Sequence, residues 1–75
     1  MRAVHEIRAE MTANVWLVRV EPGASVAADD EIVVLESMKM EIPVEAGVAG
    51  VVRVVHVTQG STVHEGDLIA EVAPS

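Results

Sequence analysis

The chain is written twice. When its 75 residues are slid 37 positions along themselves without gaps, MTANVWLVRVEPGASVAADDEIVVL (11–35) falls on VAGVVRVVHVTQGSTVHEGDLIAEV (48–72). Val15, Val18 and Val20 meet Val52, Val55 and Val57, and Val26 meets Val63. Sixteen residues are valine, so those matches alone carry little weight. At the same offset, however, Gly23 meets Gly60, Asp30 meets Asp67, Ile32 meets Ile69 and Ala9 meets Ala46. A unit repeated once at this length must bury its apolar face against its own copy.

Each half reads as strand, turn, short strand, turn, strand. The first turn is EPGA or TQGS, where glycine supplies a positive φ. The second is AADD or HEGD. Asp29 stands where the other half has Gly66, and aspartate tolerates the left-handed region better than most residues, so both turns are expected to use it. β-branched side chains are stiff at χ1 and suit a pleated surface. No window shows a helical period with caps. The expected fold is all-β: a flattened barrel or sandwich of two four-stranded antiparallel sheets with quasi-two-fold symmetry. Closing the sheets on each other protects their edges. In VVRVVHV the polar residues Arg53 and His56 are three apart, with Trp16 and Arg19 at the matching places. A bulge between them restores inward valines on both sides and turns Trp16 and Arg53 outward.

Composition narrows the function. One domain spanning 1–75 is expected. Cysteine is absent, which removes disulfides and thiolate metal sites. A net charge of −7 disfavours nucleic acid and anionic membrane surfaces as partners. No apolar run reaches the roughly 18 residues that span a bilayer. MRAVHEIRAEM mixes charges and has no apolar signal core, so the expected location is the cytoplasm. His5, His56 and His64 lack ligand spacing and read as solvated surface residues, with no metal site. Asp29-Asp30-Glu31 reads as a charged turn, since it lacks a calcium-loop pattern. EPGA is not followed by the residues of a phosphate loop, and no Ser/His/Asp set has an arrangement that argues catalysis. The chain is expected not to be an enzyme.

LESMKMEIP (35–43) lies at the centre of the repeat. The last strand of the first half ends at Glu36 and the first strand of the second begins at Met40. Ser37, Met38 and Lys39 are left for a tight hairpin, with Lys39 at or beside the tip. Lys39 is the only lysine; the other cations are Arg2, Arg8, Arg19 and Arg53. Two-residue hairpins favour Asn-Gly or Asp-Gly, because both central residues need φ > 0. None of these is present, and a local rule broken at one exposed place marks a functional site. Nothing in the sequence buries this amine or sets another cation beside it, as an activated lysine nucleophile requires. Schiff-base chemistry is therefore disfavoured. Covalent attachment by a dedicated enzyme fits better.

Glu36-Ser37-Met38-Lys39-Met40 resembles the attachment motif of the biotin carboxyl carrier family, glutamate–small–Met–Lys–Met. The resemblance extends from about residue 3 to residue 73, and the family's fold is the quasi-symmetric barrel already expected. It implies biotin joined to Lys39, with Met38 and Met40 as the flanking motif and Glu36 and Ser37 in ligase recognition. It implies three partners: a biotin protein ligase, a biotin carboxylase that loads a carboxyl group, and a carboxyltransferase that receives it. Tethering raises the effective concentration of the cofactor at both sites. Lipoyl domains are similar in fold but usually carry Asp-Lys-Ala, so a lipoyl-type acyl carrier is one alternative; an unmodified structural or interaction domain is the other. The chain departs from the family at Ala9-Glu10-Met11-Thr12-Ala13, where Ser-Pro-Met-x-Gly is usual, and at Gly47, where proline is common. It begins at about its first strand, and Met1 favours a small stand-alone form over an excised domain. The acceptor substrate is a property of the carboxyltransferase.

Overall fold

A computed structural model describes residues 3–75, so Met1 and Arg2 lie outside the described residues. Eight strands follow one another: β1 (His5–Arg8), β2 (Ala13–Val18), β3 (Ser25–Val26), β4 (Glu31–Ser37), β5 (Met40–Glu45), β6 (Gly50–Val55), β7 (Thr62–Val63) and β8 (Leu68–Pro74). Strands β2, β3 and β4 become β6, β7 and β8 when both ends are moved by 37 residues. β5 starts earlier than the copy of β1 because it runs directly out of the hairpin.

Each half does not make its own sheet. The strand orders are β1-β8-β6-β3 and β5-β4-β2-β7, so each half lends its two outer strands to the other half's central pair. All pairings are antiparallel. The turns complete the exchange. The Gly60 amide donates to the Val15 carbonyl, and the Gly23 amide to the Val52 carbonyl, both at 2.8 Å. The molecule measures 39 × 19 × 17 Å.

The core follows the repeat. Ala9 and Ala46, Val15 and Val52, Val26 and Val63, Ile32 and Ile69, and Leu35 and Val72 are all buried in one cluster, each pair 37 apart. Burying an aliphatic side chain of this size contributes roughly 1.5–3 kcal/mol. Alternation puts these residues between the sheets and leaves Asn14, Trp16, Arg53 and Glu36 outside.

Three local expectations are corrected. The bulge falls at Trp16 and Arg53 themselves, between Val15 and Leu17 and between Val52 and Val54, rather than in the stretch after them. Its effect is the expected one: Val52 and Val55 both turn inward, and Trp16 and Arg53 are exposed. Asp29 does not share the left-handed conformation of Gly66 (φ 89°). The two turns share the next residue instead. Asp30 Oδ2 accepts from the Ala27 amide and Asp67 Oδ2 from the His64 amide, each at 2.8 Å. The side-chain acceptor closes the first-half turn without φ > 0 at the preceding residue, Asp29, while the second-half turn has both the acceptor and a left-handed Gly66. Finally, His5 is half-buried rather than solvated, with its ring packed near Gly47.

Candidate functional site

β4 and β5 pair from Glu31↔Glu45 through Leu35↔Ile42 and Glu36↔Glu41 to Ser37↔Met40. Ser37 is therefore the last residue of β4, not part of the turn. The turn is Met38-Lys39 alone. Met38 has φ 53° and Lys39 φ 65°; among the described residues no other non-glycine residue has a positive φ. A two-residue turn that follows the twist of its strands needs this conformation at both positions. Long side chains adopt it at a cost of roughly 1–2 kcal/mol each. The registered ladder below the tip holds the strain in place, and such strain concentrates at functional sites.

The tip is bare. Met38 is 92% exposed and Met40 66%. Neither thioether folds back on the barrel. Lys39 is exposed, and its side chain makes no ion pair or hydrogen bond among the described residues. Its amine is thus free to accept a covalent group, and the thioethers give a partner flexible, polarisable contacts. Glu36 and Glu41 are exposed and directly opposite each other. Like charges so placed oppose pairing, so neither carboxylate is explained by strand stability.

The structure thus brings Glu36, Ser37, Met38, Lys39 and Met40 to one end of one hairpin. His56 lies elsewhere, bonded through Nε2 to Glu71 Oε2 at 2.7 Å. Among the described residues no group of three or more His, Asp or Glu is placed to hold a metal ion. Reading the sequence missed a groove of about 380 Å³ beside the hairpin, lined by Asn14, Val15, Trp16, Glu36, Gln59 and Gly60. Trp16 was legible as outward-facing; its company was not, because Gln59 is more than forty residues away along the chain.

A quasi-symmetric eight-stranded barrel with one amine at the tip of a strained hairpin defines a cofactor-attachment domain. The family model described as biotin-requiring enzyme matches residues 3–72, and the chain belongs to this family of biotin and lipoyl attachment domains. It is 50% identical over 68 residues to the biotinylated protein TB7.3 homolog of Mycobacterium leprae, covering 91% of this chain and 96% of that one. Among solved structures it is similar to a single-chain, multi-domain long-chain acyl-CoA carboxylase, with a TM-score of 0.88 and 33% identity. That match covers 96% of this chain but 7% of the carboxylase. The lipoyl domain of the 2-oxoglutarate dehydrogenase complex of Azotobacter vinelandii is also similar, with a TM-score of 0.75 and 25% identity, covering 92% of this chain and 98% of the domain. The all-β architecture of two four-stranded sheets is the one expected from the repeat.

Proposed function

We propose that Lys39 carries biotin in amide linkage and that the domain serves as the carboxyl carrier of a biotin-dependent carboxylase. The observation that carries this reading is the left-handed Met38-Lys39 turn, which holds an unpartnered amine between two exposed thioethers. In the site of a biotin protein ligase, Nζ loses a proton to a ligase base and attacks the acyl carbon of a biotinyl-adenylate. The amide bond forms and AMP leaves. Met38, Met40 and the Glu36-Ser37 side of the hairpin are the surface the ligase reads. When bound, biotin supplies a ureido nitrogen that carries a carboxyl group from a biotin carboxylase to a carboxyltransferase. The chain contributes rigid presentation, and the partners contribute the chemistry. The Met-Lys-Met tip, and the higher identity to the carboxylase than to the lipoyl domain, support biotin over a lipoyl group.

The test is the intact mass of the chain after co-expression with a biotin ligase and free biotin, beside a Lys39→Arg control. One biotinyl group on the parent and none on the control is expected. A lipoyl increment, formed when a lipoate ligase is also supplied and in preference to biotin, would move the domain to acyl transfer. Folded chain that stays unmodified beside an active ligase would leave an interaction domain.

A further inference from the structure

We propose that the groove beside Trp16 is a docking site for the ring of the biotin that Lys39 carries, a place on the domain's own surface where the arm rests between visits to its partners. This rests on the reading of Lys39 as the attachment site. The first support is the broken repeat. The core obeys the 37-residue offset, yet four of the side chains that line this groove do not. Asn14, Trp16, Glu36 and Gln59 answer to Val51, Arg53, Ala73 and Pro22 in the other half. The fold needs neither set in particular, since both halves close alike. Asn14, Trp16 and Glu36 belong to the copy that ends at the lysine hairpin, and Gln59 comes from the turn of the other copy that pairs against it.

The second support is chemical fit. A biotin ring presents an apolar bicycle, two ureido N–H donors and one carbonyl acceptor. Trp16 is 41% exposed, an unusual place for the only aromatic side chain among Phe, Trp and Tyr in the chain. Its indole offers a flat apolar face with room beside it. Asn14 Oδ1 accepts a hydrogen bond from Thr62 Oγ1 at 3.0 Å, which orients the side-chain amide and leaves its N–H groups to donate to a carbonyl. Glu36 is exposed and has no ion pair among the described residues, so its carboxylate can accept from a ureido N–H. Gln59 also lines the groove, on a turn fixed by the Gly60 amide on the Val15 carbonyl and by the Val15 amide on the Ser61 carbonyl, both 2.8 Å. The groove's volume of about 380 Å³ has room for the bicycle.

The third support is reach. Trp16 lies level with the step between Leu35 and Val34, on the strand next to β4. From Lys39 that is four to five residues down the hairpin, roughly 15 Å at the usual strand rise. Eleven bonds separate the lysine Cα from the ring of an attached biotin, which gives roughly 14 Å of extended arm with standard bond lengths. The ring therefore spans the stretch from Glu36 to Trp16 when the arm lies back along the sheet.

Trp16 is its own probe, because there is no second tryptophan and no tyrosine. Biotinylated and unmodified chains, each verified by intact mass, are compared by acrylamide quenching of Trp16 emission. The biotinylated chain is expected to show a roughly twofold lower quenching constant, as for a ring docked about half of the time. Free biotin at the same concentration should leave the unmodified chain unchanged, since only the tether supplies the effective concentration. The Asn14→Ala/Gln59→Ala variant, biotinylated, should return to the unmodified value. As a second reading, the ureido N–H resonances of the biotinylated chain should be displaced by the indole ring current and lose that displacement in Trp16→Val, a residue suited to the strand. Equal quenching with and without biotin, or ureido resonances indifferent to Trp16→Val, overturns the docking site while leaving the attachment intact. A chain that takes up no biotin overturns both, and the mass alone reports it.

Discussion

Met38 and Lys39 hold a backbone conformation that glycine or asparagine would hold more cheaply, and they hold it with side chains that pack against nothing. Stability cannot have chosen them. Met38→Gly is expected to stabilise the domain by about 1 kcal/mol, a rise in Tm of roughly 4–8 °C for a domain of this size, while slowing modification by the ligase. Thermal melts and initial rates of biotin incorporation check the two halves of this expectation; a melt that falls would show that the turn is not strained. The Glu36↔Glu41 pair makes the same point with charge. Replacing Glu41 by lysine should raise stability by up to about 1 kcal/mol through the cross-strand attraction to Glu36, read by urea unfolding in low salt. An unchanged midpoint would show that water already screens the pair.

At the level of elements, the repeat predicts strands and their boundaries well because inward valines and turn residues recur at one offset. It predicts partners poorly. Whether β1 joins its own half or the other is decided by pairing with β8, sixty or more residues away, and no local pattern encodes that. Turn chemistry was legible where glycine imposed it, at Gly23, Gly60 and Gly66, and misread at Asp29, where the Asp30 side chain closes the turn without a left-handed residue. The hairpin was legible, but Ser37 was placed one element too late because its pairing with Met40 depends on register. The two copies also diverge at Gly50 and Ala13. A Cβ on Gly50 would overlap the Ala73 carbonyl, because β6 pairs with β8 as far as Gly50↔Pro74. β2 meets β4 only from Asn14 onward, so Ala13 has room for its methyl group. Gly50→Ala should therefore destabilise by roughly 1–3 kcal/mol, and Ala13→Gly should cost no more than about 1 kcal/mol. Denaturant unfolding of both variants checks this, and equal costs would contradict the asymmetry.

At the level of the whole molecule, exchange of outer strands makes each half depend on the other, so the domain should unfold as one unit. Val15→Ala and Val52→Ala remove equivalent buried side chains and should cost about the same, roughly 2 kcal/mol each; a difference of more than about 1 kcal/mol would show that the halves are not equivalent in stability. Against that symmetric frame the attachment hairpin and the Trp16 groove are the departures, and both lie at one end of one sheet. The frame thus serves to hold a single amine out in water at a fixed place. The most direct measurement is mass-spectrometric localisation of the modification after reaction with a biotin ligase. In a chain expressed as these 75 residues, Lys39 Nζ and the terminal α-amino group are the two primary amines available. The account expects one biotinyl group, on Lys39, and none on a Lys39→Arg chain. Biotin on the terminal amine, or biotin retained by Lys39→Arg, would contradict it.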